Sequence, residues 1–270
     1  MLKLRIDTTF YEPQSLEWDE KNKALKLIYP DCDASVDLQV AVKDKYLTFE
    51  ISDYTSVQPV DVAVWGPYAT SIKKTVGECV GVVRDSLYAI GIQALNAKTL
   101  GGFPTEESDV DPAYDIFATT SLVDIDKNVK VLYRGQTAFP KEYGSVIQAY
   151  CRDRSKDRVI PNWNHTHYMA PAYNDGGIKG SKIALFGCPE KEALDYIEAI
   201  ELGENLPHPT LDGVWAKKVV IASQAYIIYP FNESNIKDAL EFTKKTGLKY
   251  LYNGCLLYTS PSPRDLSTSR

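Results

Sequence analysis

Residues 219–254, VVIASQAYIIYPFNESNIKDALEFTKKTGLKYLYNG, read as strand, helix, strand at the spacing of a βα repeat. Residues 225–231 form a short aromatic and β-branched run, the length of one buried strand. Pro230, Asn232 and Ser234 break that pattern, and Ser234 is placed to cap a following helix by accepting from an early backbone N–H. Ile236, Ala239, Leu240 and Thr243 recur at helical spacing and predict one buried stripe, with Lys237, Glu241, Lys244 and Lys245 elsewhere. Lys244 and Lys245 suit the negative end of the helix dipole, and Gly247 supplies the left-handed residue that stops it. Residues 248–252 are a second apolar run, and two strands joined by a helix lie parallel in one sheet.

The whole chain has 270 residues, 44% hydrophobic and 24% charged, an ordinary composition for one large or two ordinary globular domains. It has no apolar run approaching the ~20 residues of a membrane-spanning helix, so no such span is expected. Lys and Arg number 30 against 36 Asp and Glu, a net charge of -6 with no basic block, which argues against a nucleic-acid partner. The 18 Tyr and 4 Trp are an excess with two uses: aromatic faces stack on sugar rings, and they also pack strands against one another. Cys32, Cys79, Cys151 and Cys188 have no C-x-x-C spacing and read as buried free thiols rather than zinc ligands.

Residues 1–187 read as strand and turn. Leu2, Leu4 and Ile6 alternate directly after Met1 with no charged n-region and apolar h-region, so no secretory signal is read. A periplasmic or extracellular parent protein stays open. Further runs fall at 24–29, 35–42, 46–51, 60–68, 79–83 and 87–94, the last two forming a hairpin around Arg84, Asp85 and Ser86. After a polar loop at 96–112, runs at 113–119, 129–133, 144–151 and 181–186 complete the pattern of a mainly β, large antiparallel β-sandwich. Residues 188–218 then read as a linker helix and an approach segment. Pro189 stands at the helix start, Glu190 and Glu192 lie in its first turn, and Ala193, Ile197 and Ile200 lie on one face. Residues 203–209, GENLPHP, read as extended linker before the βα repeat of 219–254.

This order, with the phrases GSKIALFGCPE (180–190), LPHPTLDGVWAKK (206–218) and TKKTGLKYLYNG (243–254), resembles the front half of barrel glycoside hydrolases of the α-galactosidase type from polysaccharide-degrading bacteria. The stretch at 65–102 is similar to the sandwich of the same group. The resemblance implies the start of a (β/α)8 barrel at 219–254 and hydrolysis of a glycosidic bond by a carboxylate nucleophile and a carboxylic general acid/base. In that group both carboxylates come from later barrel strands, so no catalytic residue is matched here. Residues 255–270, CLLYTSPSPRDLSTSR, have no period or cap and resemble a translated sequencing adapter, a non-native tail outside the fold. On that reading the chain is a front fragment and is expected to be inactive, because a barrel with two of its strands cannot close.

In barrel enzymes the site forms at the carboxyl ends of the strands. That places Tyr229, Phe231, Asn232 and Glu233 after the first strand and Tyr252 and Asn253 after the second, where an oligo- or polysaccharide would bind. Glu233 has two readings, a partner for a sugar hydroxyl or a first-turn carboxylate that steadies the helix. The stretch PNWNHTHYMAPAY at 161–173 holds two of the three histidines. Trp163 there can stack on a sugar, with His165 and His167 as hydroxyl partners, or the loop merely packs. Two histidines at i, i+2 lack a third metal ligand, the acidic residues at 106–111 lack the glycine of a calcium loop, and no phosphate or dinucleotide motif appears. No cofactor is therefore expected. Two other functions fit the pattern, a carbohydrate-binding or structural sandwich and a polysaccharide lyase.

Overall fold

The computed structural model describes residues 1–77, 81–102, 130–131, 137–159, 169–219, 226–248 and 250–252. The chain divides into two compact units, Met1–Leu206 and Pro207–Arg270. The first is mainly β. Its strands are β1 (Leu2–Ile6), β2 (Thr9–Tyr11), β3 (Ser15–Asp19), β4 (Ala24–Tyr29), β5 (Ala34–Val42), β6 (Leu47–Ser56), β7 (Val62–Thr70) and β8 (Thr75–Val76). There follow β9 (Val82–Arg84), β10 (Tyr88–Ala94), β11 (Leu100–Gly101), β12 (Lys130–Val131), β13 (Ala138–Lys141), β14 (Gly144–Arg152), β15 (Arg158–Val159), β16 (Met169–Ala170) and β17 (Lys182–Pro189). Among the described residues one sheet has six strands, ordered β11-β14-β7-β1-β2 with β13 also on β14. The other has nine, ordered β12-β8-β9-β10-β17-β6-β5-β4-β3. Every pairing in the two sheets is antiparallel except β12 with β8.

Strand alternation sends one row of each sheet into a shared core. Leu2, Leu4 and Ile6 of β1, Trp65 of β7 and Ile147 and Ala149 of β14 meet Leu27, Val36, Leu38, Ile51, Ile92 and Ile183 of the larger sheet. Each such aliphatic side chain contributes roughly 1.5–3 kcal/mol relative to exposure. A hydrogen bond crosses this core: Trp65 Nε1 donates to Ser181 Oγ at 2.9 Å, joining the smaller sheet to the residue just before β17. The smaller sheet is covered on its other face too, where Val62, Val64 and Tyr150 form a second buried cluster.

The predicted hairpin is present as β9 and β10, with Asp85 Oδ1 accepting from the N–H groups of Leu87 and Tyr88. The helix does not begin at Pro189. Pro189 is the last residue of β17, paired with Tyr88, and its backbone (φ −55, ψ 141) is extended. A single turn of 3-10 helix, Glu190–Glu192, follows, and the α-helix α1 spans Ala193–Gly203. Glu190, expected to act on a helix dipole, instead pairs with Arg84 beside the hairpin. The predicted apolar face holds: Ala193, Ile197 and Ile200 are buried. The helix expected to link sandwich and barrel lies inside the first unit, where Glu204 Oε1 accepts from the Tyr46 hydroxyl at 3.0 Å and Glu204 Oε2 takes Lys182 Nζ at 2.8 Å.

The second unit opens with a hairpin of β18 (Thr210–Leu211) and β19 (Val214–Trp215). Asp212 and Gly213 turn it, both at positive φ (51° and 80°), as a two-residue hairpin loop requires. His208 stacks on Trp215 with ring centroids 5.5 Å apart. Then β20 (Tyr226–Ile228), α2 (Ile236–Lys245) and β21 (Tyr250–Tyr252) form the expected strand-helix-strand unit, with Tyr226, Ile227 and Ile228 parallel to Tyr250, Leu251 and Tyr252. Helix α2 differs from expectation at two points. Asn235, not Ser234, occupies the N-cap, and it makes no capping side-chain bond. Of the predicted stripe only Ala239 and Thr243 are buried, while Leu240 is 44% exposed. The stop is as read: Lys245 pairs with Glu241 in the last turn and Gly247 follows at φ 75°.

Candidate functional site

At the carboxyl ends of β20 and β21 the chain brings two of the candidate residues together. The N–H of Tyr229 donates to the carbonyl of Tyr252 at 3.0 Å, extending the parallel ladder by one bond, and the two side chains are 45% and 54% exposed. Asn232 follows at the turn into α2. Its Oδ1 accepts from the N–H of Ser234 at 2.9 Å and from the Ser234 hydroxyl at 2.5 Å, and its own N–H donates to Asn235 Oδ1 at 2.7 Å. Its carbonyl also accepts from Asn235 and Ile236, so an Asx-type turn does the work expected of Ser234. Asn232 is thus occupied in shaping the turn, with its amide NH2 as the donor left for a sugar hydroxyl. Glu233 lies exposed in the same turn, before the first residue of α2. The arrangement is two exposed phenol rings beside polar turn residues, which suits stacking and hydroxyl recognition. Asn253, Trp163, His165 and His167 lie outside the described residues, as do the runs at 113–119 and the tail at 255–270.

The first unit holds a second concave feature that the sequence reading missed. Ala97, Lys98, Leu100, Arg152, Arg154, Tyr173 and Gly176 line a recess of about 60 Å3. Further along the chain, β15 and β16 pair Arg158 with Ala170 and Val159 with Met169. Backbone bonds hold the walls. Tyr173 N–H donates to the Arg154 carbonyl at 2.8 Å and Arg154 N–H to the Gly176 carbonyl at 2.7 Å. Gly176 approaches so closely that a Cβ there would lie 2.3 Å from the backbone of Arg154 and Ser155. On the opposite wall Lys98 Nζ donates to the Asp175 carbonyl and, at 2.6 Å, to the Lys179 carbonyl, with Asp175 Oδ2 at 3.3 Å.

Lys98, Arg152 and Arg154 thus line the recess, Lys98 with Asp175 as its ion-pair partner and both arginines with partners of their own. Arg152 closes buried strand β14 at 7% exposure, and the Arg154 guanidinium lies 5.8 Å from the Tyr173 ring centroid, a cation–π distance. The nearby Cys151 thiol is pushed up to about 11, chiefly by burial; Lys98, a Ser181 hydrogen bond and Arg154 pull it down, and Asp153 adds to the rise. Burial likewise pushes Cys188 up to about 11, helped by Glu192 and Asp195, so both buried cysteines are neutral thiols near neutral pH. Cys32 is also free and its thiol is raised by burial, while Cys79 lies outside the described residues. Among the described residues no cluster of three or more His, Cys, Asp or Glu is placed to hold a metal ion, and no helix is long and apolar enough to cross a membrane.

The signal for the recess in the sequence was the pair Arg152 and Arg154, two apart at the end of a wholly buried strand. Comparison with protein-family models, with curated proteins and with solved structures returned no match.

Proposed function

We propose that the chain binds glycans, as the β-sandwich and first βα unit of a glycoside hydrolase of the α-galactosidase type whose catalytic carboxylates lie on barrel strands outside these 270 residues. The observation that carries the reading is the parallel pair of β20 and β21 joined through α2, following a large antiparallel β unit, with Tyr229 and Tyr252 exposed at the carboxyl ends of its strands. In this reading the two rings bind a sugar face, and Asn232 and Glu233 meet its hydroxyls. The test is affinity electrophoresis and calorimetry of the 270-residue protein against a panel of neutral galactose-, glucose- and mannose-containing glycans. Binding that weakens several-fold in Tyr229→Ala and Tyr252→Ala is expected, since one aromatic contact contributes about 0.5–1.5 kcal/mol. Retention of no glycan on the panel sinks the proposal. No turnover is expected of the 270-residue protein, because a barrel with two of its strands cannot close; released reducing ends or unsaturated products absorbing in the near ultraviolet would contradict this.

A second reading, a glycan-binding sandwich, draws on the recess of the first unit. Binding that survives Tyr229→Ala and Tyr252→Ala but is lost in Tyr173→Ala selects it.

A further inference from the structure

We propose that β3 pairs antiparallel with β3 of a second copy of this chain about a two-fold axis at Glu17, so that the nine-stranded sheet continues from one molecule into the next. Strand β3 stands at the end of that sheet, with β4 as its neighbour among the described residues, and all 5 of its residues are exposed.

The direction of the backbone groups shows what this edge offers. The Ile28 carbonyl accepts from the Gln14 N–H at 3.0 Å, so the backbone groups of Ile28 face β3. Alternation along β4 turns those of Lys26 and Ala24 the same way, and their partners Glu17 and Asp19 face back toward them. The N–H and C=O groups of Leu16 and Trp18 therefore point to the open edge. In a pairing centred on Glu17, Leu16 lies opposite Trp18 of the second copy and Trp18 opposite its Leu16, which satisfies every one of those groups.

The side chains fit the same axis. SLEWD is close to symmetric about Glu17, with apolar Leu16 and Trp18 beside it and polar Ser15 and Asp19 outside them. Leu16 and Trp18 lie across from the core residues Leu27 and Leu25 of β4, hence on the inward row of the sheet, yet they are 55% and 49% exposed. The second copy places a Leu against a Trp on that row twice over, and Ser15 against Asp19 on the other. Other centres fit worse. An axis at Trp18 sets Glu17 against Asp19 twice and Leu16 against Glu20. An axis at Leu16 sets Gln14 against Trp18, although the Gln14 N–H is already given to Ile28. At the chosen axis Glu17 faces itself, the one unfavourable pair, and Lys26 across β4 lies on the same face to offset it. An edge of 5 residues falls short of the ~800 Å2 per partner of a stable interface, so the dimer is weak and exchanges with monomer.

Sedimentation velocity on the full chain from about 10 to 500 μM tests this, with mass rising toward that of a dimer. Leu16→Pro removes an outward N–H and breaks no bond to β4, so it should weaken association about tenfold while the circular dichroism stays that of the native sheet. Glu17→Lys supplies the sharper readout. Because position 17 faces itself, Glu17→Lys alone still sets like charges together, whereas an equimolar mixture with the unaltered chain sets Lys against Glu. The mixture should associate about fivefold more tightly than either protein alone.

Monomer at every concentration, in the mixture as well, overturns the proposal. Association that neither Leu16→Pro nor mixing changes overturns it too, since the contact then lies elsewhere on the molecule. If Leu16→Pro does not fold, the mixing experiment decides alone, and a mixture no tighter than its components refutes the two-fold pairing at Glu17.

Discussion

Ser181 is the residue whose removal best tests how the two large sheets are held together. Its hydroxyl lies at the buried end of a hydrogen-bond relay that reaches the surface at Asn96. Trp65 Nε1 donates to Ser181 Oγ at 2.9 Å, Ser181 Oγ and Thr99 Oγ1 are 3.0 Å apart, and Thr99 Oγ1 donates to Asn96 Oδ1 at 3.0 Å while accepting the Lys182 N–H at 2.9 Å. The one Thr99 hydrogen goes to Asn96, so the contact between Thr99 and Ser181 is made by the Ser181 hydroxyl, which also bonds the Cys151 sulfur. In Ser181→Ala the buried indole N–H loses its acceptor, a penalty of about 1–3 kcal/mol, while Thr99 keeps two partners. In Trp65→Phe the donor disappears with its partner intact, and the loss is mostly volume, about 1–2 kcal/mol. In the double variant no orphaned N–H remains, so the two losses should fall short of their sum by about 1 kcal/mol or more. Urea denaturation followed by far-ultraviolet circular dichroism on all four proteins measures this. Strict additivity, within about 0.3 kcal/mol, would refute the claim that this bond couples the sheets.

Alkali should destabilise the first unit from about pH 9 upward. Burial raises the folded pKa of Cys151 and Cys188 to about 11, and burial with the Glu204 bond raises Tyr46 to about 12. Groups raised in the folded state give stability that is complete below their unfolded values and is lost as pH climbs through the folded ones, so a melting temperature constant from pH 8 to 11 contradicts the assignment. Gly81→Ala should lower stability by more than about 2 kcal/mol, because a Cβ at φ 79° would lie 2.1 Å from the Ile92 carbonyl oxygen; an unchanged urea midpoint would count against it. Asn232→Ala should cost the second unit about 1 kcal/mol by removing the turn that leads into α2, read as faster amide exchange in α2; unaltered exchange would free Asn232 for a purely ligand-binding role.

The core of the first unit was legible because its strands alternate cleanly. Leu25, Leu27 and Tyr29 in β4, and Ala34, Val36 and Leu38 in β5, all face inward as their spacing says. Strands β2 and β3 escaped notice: β3 is an edge strand whose residues are all exposed, so Leu16 and Trp18 signal no buried face. Strand β13 was hidden by Pro140, a residue that weighs against a strand until a sheet edge is seen to accept it. At Pro189 two structures compete for the same backbone angles, since a fixed φ near −55° serves a helix start and a strand end alike, and pairing with Tyr88 settles it. Leu240 matched a helical stripe, yet it is 44% exposed, because burial needs a neighbour packed fully over that side of the helix.

For the candidate sites the division is similar. The pairing of Tyr229 with Tyr252 was readable, because a helix between two short apolar runs forces them parallel and puts both carboxyl ends on one side. The recess was not, since Lys98, Arg152, Arg154 and Tyr173 come from three separate segments of chain. By itself the sequence determined what each segment could become, through the period of its apolar residues and the chemistry of its turns. Only the tertiary structure decided which distant segments meet, because contact between charges far apart along the chain depends on sheet order and strand register, which no local pattern encodes.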